Sequence, residues 1–389
     1  MRVLEQQTLI EPFGDPVAQV AMCGADLATL RSQEVRASGI DGQRLAMADY
    51  AFATAPVLKA FAARASGKRP CRLALPKHAA LESLVAVSSV HRLEDRLVYD
   101  IFIDAGPDDD LAALRANAEV VLIPIEPAVR WRALPRFGPG PHRMPIVCDG
   151  TFAMHFEHWV HLLWGAPLLV PNLLSRAEGR RRRSPGGRAA SIIAKGADVH
   201  PSAYLEGAVI GEGAEVGAQC VIRNSYIGAH SRLSDFTKVA HSVLGPQTHT
   251  LADANFEYMV AGGGGTLTNL LLQDSLLGKQ VFVTTGVIFW KDELGEEITV
   301  RHRGEEVPTG RMVLGGCAGH GSVLGARTIV APGRALPNRT TVVMRKEEGV
   351  LRIDPRIAEG AAGCWYDGAL VPTTEVDPDY APEELVQTP

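Results

Sequence analysis

Residues 199–244 read VHPSAYLEGAVIGEGAEVGAQCVIRNSYIGAHSRLSDFTKVAHSVL. Small aliphatics recur through them at Val199, Leu205, Ile210, Val216, Ile222, Ile227, Leu233, Val239 and Leu244. The steps are six, five, six, six, five, six, six and five residues, so three steps make a period of seventeen. A short fixed period dictates architecture, because a unit this small cannot bury its apolar side alone and must stack on its neighbours. Several of the aliphatics precede a glycine, as in Ile210-Gly211, Val216-Gly217, Ile227-Gly228 and Leu244-Gly245. That pairing suits a sharp corner between short strands. The reading is a left-handed parallel β-helix.

The rhythm returns at Ala318, Leu324, Val330, Leu336 and Val342, each six apart. A sandwich would show strict period-two alternation instead. The β-helix is therefore predicted over 192–345, with two interruptions. Residues 246–272, containing Gly262-Gly263-Gly264-Gly265, read as an inserted loop, and residues 292–313 as a charged hairpin. Loops that leave a rigid solenoid commonly line its binding surface.

Upstream the texture differs. Helix-like stretches at 25–38, 55–65 and 110–116 alternate with apolar runs at 71–75, 97–103 and 120–125, the pattern of an α/β domain over 1–175. A last helix is predicted from Met154 to just before Pro167, carrying His155, His158 and His161. Adjacent pairs of these histidines share a face, but the outer two diverge and no carboxylate pattern accompanies them, so no metal site is assigned. Residues 176–191, with four consecutive arginines at 180–183, read as a solvated linker, and 346–389 as a loosely packed tail.

The chain has 389 residues, 46% of them hydrophobic, and a formal charge of −5, a balance that requires neither nucleic acid nor a membrane as partner. The six scattered cysteines form no CxxC pair and read as reduced, mostly buried thiols. With no signal-like N-terminus and no apolar run near eighteen residues, a cytoplasmic location is the expectation.

Three segments resemble a known family. They are 236–245 (FTKVAHSVLG), 274–279 (DSLLGK) and 297–316, with its Thr309-Gly310-Arg311 and Leu314-Gly315-Gly316. Behind an α/β domain ending in a Trp-x-x-Leu-Leu-like helix, they look like the bifunctional sugar-1-phosphate nucleotidyltransferase/acetyltransferases of the archaeal type, related to N-acetylglucosamine-1-phosphate uridylyltransferase. The resemblance implies Mg²⁺-dependent nucleotidyl transfer in the first domain. It further implies acetyl transfer from acetyl-CoA on a homotrimeric β-helix, with sugar phosphates or nucleotide sugars as ligands.

The motifs are degenerate. The family's glycine-rich phosphate loop with its Arg and Lys is missing, and no cation stands between Arg2 and Arg31. Asp15, Asp49, Asp100 and Asp104 are the carboxylates considered for a metal and read first as turn or capping residues. For the acetyl step the family places a His three residues before a Tyr as general base. Here Tyr258 matches and Asn255 replaces the His, so His249 is the nearest substitute, reaching the site only if its loop folds back. Lys291, Arg301, Arg303, Arg311 and His320 are the cofactor-binding candidates, with Arg334 near the same hairpin. The functional expectation is a transferase-like protein that binds a sugar phosphate, nucleotide sugar or acyl-CoA and has lost nucleotidyl transfer. The alternative is a non-catalytic trimeric binding or scaffolding protein.

Overall fold

The computed structural model describes residues 1–65, 69–134, 143–268, 271–292, 296–343, 352–357, 363–366 and 369–372. From Ser191 to Val342 the chain winds as a parallel β-helix whose strands are only two or three residues long. Three sheets form its sides. On the first, Ile193, Ile210, Ile227, Leu244, Ala261, Leu277, Ala318 and Leu336 stack in register. Val199, Val216 and Leu233 begin the second, continued by Leu267, Val283, Leu324 and Val342. The third stacks Leu205, Ile222, Val239, Phe256 and Leu272. These inward side chains make one continuous apolar interior.

The expected loop at 246–272 is not a loop. Strands His249–Thr250, Asn255–Glu257, Val260–Ala261, Thr266–Leu267 and Leu271–Gln273 continue all three sides. Two substitutions inside the coil hide the rhythm. The inward position after Leu244 holds Thr250, which is satisfied by Ser234 and Thr237, and the next holds the larger Phe256. The period also shortens to sixteen, because Ala261 pairs with Leu277 and Leu267 with Val283. The glycine run is a corner: a Cβ on Gly262 would lie 2.9 Å from the carbonyl carbon of Gly278 in the next turn. The hairpin at 292–313 is present as Thr299–His302 against Glu305–Pro308, turning through Arg303 and Gly304 at positive φ. Residues 293–295 of that segment lie outside the described residues.

The first side differs from the others because both residues of five of its dipeptide strands are buried. Val209-Ile210, Val243-Leu244, Val260-Ala261, Leu276-Leu277 and Cys317-Ala318 alternate inward and outward, yet none is exposed. On the second side the outward Glu215, Arg232 and His249 are exposed. The cover on the first side is the N-terminal domain, whose core runs through Trp159, Val160 and Leu162 into Val243, Val260 and Leu276. That domain is built on a mixed sheet ordered Arg2–Leu4, Leu45–Ala48, Arg96–Ile103, Cys71–Pro76, Glu119–Leu122. Helices Leu27–Ser38, Ala55–Arg64 and Leu111–Asn117 form where the helical stretches were predicted.

Three other expectations are corrected. The predicted last helix starts late and does not stop at Pro167. Ala153–His155 is a strand, His158 caps helix Trp159–Gly165, and the chain continues through a 3₁₀ turn into helix Val170–Arg176. Pro167 and Pro171 sit in first-turn positions, where the missing N–H does no harm. The predicted linker carries strand Arg180–Arg182, paired antiparallel to Ser191–Ile193, so the arginine run opens the first side. Part of the predicted tail forms a sheet of Arg352–Ile353, Ala369–Pro372 and Gly363–Tyr366, while 373–389, including Pro378 and Pro382, lie outside the described residues. Cys23, Cys71, Cys220 and Cys317 are buried free thiols and Cys148 is exposed. No helix among the described residues is long and apolar enough to cross a membrane.

Candidate functional site

Where the N-terminal domain meets the hairpin, a cleft of about 1040 Å³ opens. Its floor is a buried polar network centred on Asp100. That carboxylate accepts from Tyr50 Oη at 2.7 Å, Arg72 Nη2 at 2.7 Å and Arg115 Nε at 3.0 Å. Burial alone would raise the Asp100 carboxyl, but its bonds to Arg115 and Tyr50 outweigh this and hold it below the usual carboxylate range. The Asp100 backbone N–H donates to His155 Nε2 at 3.0 Å, so a neutral His155 ring carries its proton on Nδ1, 3.0 Å from Ser89 Oγ. The Ser89 N–H in turn donates to Glu157 at 2.6 Å. Arg115, though tied to Asp100, leaves 40% of its side chain exposed to the cleft.

The opposite wall comes from the solenoid. Ile298 and Val300 are wholly buried and root the hairpin, while Arg301 and Arg303 stay exposed on it. His158 Nε2 donates to the Arg301 carbonyl at 3.1 Å, and Arg303 lies 3.5 Å from Glu157. Arg334 adds a further guanidinium, 2.9 Å from Glu306. Cations from two domains therefore face one space whose walls also offer tyrosine, serine, glutamine and carboxylate groups.

A second constellation lies at one corner of the solenoid. Gly207, Asn224, His241, Tyr258 and Asp274 stack on successive turns, all at positive φ between 45 and 58°. Gly, Asn, His and Asp tolerate that region; Tyr rarely does, so Tyr258 is the strained member. A hairpin of the N-terminal domain, Val129–Ala133 with Arg143–Val147, reaches over this corner. Arg130 donates to His241 Nε2 at 2.8 Å and to Tyr258 Oη at 3.2 Å. Arg132 sits 3.7 Å over the Tyr258 ring and forks onto Asp274. Burial, reinforced by Arg130 and Arg132, pushes His241 down to about 3, so it is neutral at physiological pH.

The predicted residues thus fall in different places. Tyr258 belongs to the corner, and Lys291 joins it 3.9 Å from Asp274 while donating to Gln273 at 2.5 Å. Arg311 lies behind it, 3.9 Å over the Trp164 ring. Arg301 and Arg303 go to the cleft. Asn255 is half-buried on the third side, in a shallow pocket with Phe236 and Lys238 and apart from the corner. His249 is corrected: with no loop to fold back, it is exposed on the second side between Arg232 and Thr266 and does not approach Tyr258.

His320 is corrected as well. It stacks on Phe13 at 4.6 Å, accepts from the Lys279 N–H at 2.8 Å on Nδ1 and meets Asp15 at 3.1 Å through Nε2, which ties the N-terminal domain to the solenoid. The four aspartates considered for a metal have protein partners. Asp15 pairs with Lys279, Asp49 accepts from the Gln6 and Thr8 N–H groups, Asp100 takes its arginines, and Asp104 takes Arg44. Among the described residues no group of three His, Cys, Asp or Glu has metal-binding geometry. His241, Arg130, Arg132, Tyr50 and Arg115 were missed; for His241 the available signal was its place seventeen residues before Tyr258.

No family model and no curated protein matches the chain. Among solved structures it is similar to a hexapeptide transferase family protein from Anaplasma phagocytophilum, at 14% identity over 41% of this chain and 82% of that one, with a TM-score of 0.25. It is also similar to a variant of perosamine N-acetyltransferase from Caulobacter crescentus in complex with CoA and GDP-perosamine. There the identity is 18% over 50% of this chain and 82% of that one, with a TM-score of 0.17. At such scores the likeness carries no weight for chemistry.

Proposed function

We propose that the chain binds a sugar phosphate or nucleotide sugar in the cleft between the N-terminal domain and the hairpin, as a transferase-like protein that has lost nucleotidyl transfer. The observation that carries this reading is the opposition of Arg115, braced by Asp100, to Arg301 and Arg303 across a space of about 1040 Å³. Guanidinium forks suit phosphate oxygens, and the Tyr50, Ser89 and Glu157 groups suit sugar hydroxyls. The volume is at the upper end of small-ligand pockets, as a nucleotide sugar requires.

The residues present do not fit Mg²⁺, since each candidate aspartate already has a protein partner. Nor do they supply the base of an acetyl transfer from acetyl-CoA, because His249 is remote and His241 is held neutral and hydrogen-bonded by Arg130. Self-association as a homotrimer is part of the reading, supported by exposed Phe282, Ile288, Trp290 and Ile329 on the outer surface of the coil.

The test is thermal stabilisation, because a ligand that binds only the folded state raises its melting temperature. UDP-glucose or glucose 1-phosphate should raise it in the wild type and not in Arg115→Ala or Arg303→Ala. A shift by acetyl-CoA alone would favour the acyl-CoA alternative. No shift by any of them at millimolar concentration would leave the scaffolding alternative.

A further inference from the structure

Behind the corner that carries Tyr258 lies a partly open cavity of about 130 Å³. Its walls are apolar, among them Leu163, Trp164, Leu168, Val170, Leu174 and Met144, and Arg130 and Tyr258 stand on its lining. A wider recess of about 520 Å³, bounded by Arg130, Trp131, Tyr258 and Lys291, shares those mouth residues and gives a route from solvent. We propose that this cavity is a binding site for a small organic carboxylate, with a ring-sized apolar body in the pocket and the carboxylate on Arg130 and Tyr258.

Three observations support the assignment. The first is size: an apolar cavity of roughly 150 Å³ is known to take up benzene, so this one matches a six-membered ring or a short branched chain. The second is charge. Arg130, Arg132 and Arg311 line the cavity against the single carboxylate of Asp274, which is bound by Arg132 and approached by Lys291. Glu257, at the outer recess, accepts from Gln273. Among the described residues the Arg130 guanidinium donates to the neutral acceptors His241 and Tyr258, and that of Arg311 to the Ser83 carbonyl and the Met144 sulfur while lying over the Trp164 ring. Three guanidiniums around one carboxylate leave the pocket with an excess of positive charge, which an incoming anion relieves.

The third observation is an unmet donor. The Arg311 Nε is buried and has no partner among the described residues. Burial also pulls the Arg311 guanidinium down to about 9, with Arg132 adding to the shift and Asp274 opposing it. Because Tyr258 Oη accepts from Arg130, its own proton is left to donate toward a ligand oxygen. A bidentate carboxylate on Arg130 with one bond from Tyr258 is the arrangement these donors favour.

The experiment is calorimetric titration of the full chain with three probes. Benzoate supplies both head and body, benzyl alcohol the body without charge, and acetate the head without the body. Benzoate is expected to bind at one site per chain, at least about tenfold more tightly than either of the others. Arg130→Gln should bring benzoate down to the level of benzyl alcohol while lowering the melting temperature no further than Tyr258→Phe does, and Arg130→Lys should lie between. Equal binding of acetate and benzoate would overturn the role of the apolar cavity, and equal binding of benzyl alcohol would overturn the role of Arg130. The absence of saturable heat with benzoate and with 3-methylbutanoate at millimolar concentration would overturn the site altogether. None of these outcomes depends on nucleotide-sugar binding in the cleft.

Discussion

Tyr258 lies flat on His241 one turn below it, ring centroids 5.0 Å apart and planes inclined by 25°, although the Tyr258 backbone sits at φ +52°. The strain is held by the stack, by Arg132 over the other face and by Arg130 on the hydroxyl. Tyr258→Phe keeps both ring contacts and should cost only about 1 kcal/mol. Tyr258→Ala should cost about 2–3 kcal/mol in denaturant unfolding, less than the deletion of a wholly buried aromatic because this ring is half-buried, and with no backbone relief because alanine keeps the Cβ. Equal losses for the two variants would show that the hydroxyl alone matters.

The neutral histidines predict acid lability. His158, His161 and His241 are pushed down to about 3, 4 and 3, each chiefly by burial. In the unfolded chain they titrate near 6.5. The unfolded state therefore binds more protons between those values, so stability is complete above about pH 6.5 and falls as the pH drops toward 4. Melting temperature followed from pH 7.5 to 4 should decline through this window. His241→Asn, which suits the left-handed corner as Asn224 does one turn below, should flatten the decline. An unchanged slope would count against a neutral buried His241.

A second acid step belongs to Asp100. Its carboxyl is lowered, so the stability it supplies is present above about 3.9 and lost as pH falls through its folded value. Asp100→Asn removes that step and leaves the buried Arg72 guanidinium without its carboxylate, at a cost of about 3–5 kcal/mol. Guanidinium chloride unfolding at neutral pH measures the loss, and a change below about 1 kcal/mol would refute the network.

Corner glycines should separate into two classes. A Cβ on Gly245 would lie 2.6 Å from the backbone of Gly262 in the next turn, so Gly245→Ala should destabilise by about 2–3 kcal/mol. Gly39, at φ +73° with open space around it, should lose only about 1 kcal/mol on the same change. Thermal melts of the two variants compare a steric clash with a purely conformational cost.

The coil was legible because solenoid geometry stacks each residue on one seventeen positions away, so inward aliphatics print their period on the sequence. The same stacking hid what broke the aliphatic rule: Thr250 and Phe256 point inward as surely as Leu244 does, and a glycine run that looked like a loop is a corner. Of the corner the sequence singled out Tyr258 and Lys291, and of the cleft Arg301, Arg303 and Arg334. Asn224, His241 and Tyr258 obey the same seventeen-residue step, but as outward polar residues they carry no hydrophobic mark. Arg130 and Asp100 come from distant segments that only the folded domain brings together. His249 misled because closeness in sequence gives no closeness across two sides of a coil.

The buried outer row Val243, Val260 and Leu276 has a consequence for how copies of this chain can meet. A three-sided rod ordinarily offers three equivalent flanks, and here one is already occupied by the chain's own first domain. Self-association is left with two flanks per molecule, one to give and one to receive. Two such flanks are the valency of a closed ring or of an open helical row, and a third contact through the covered flank is ruled out within a single copy.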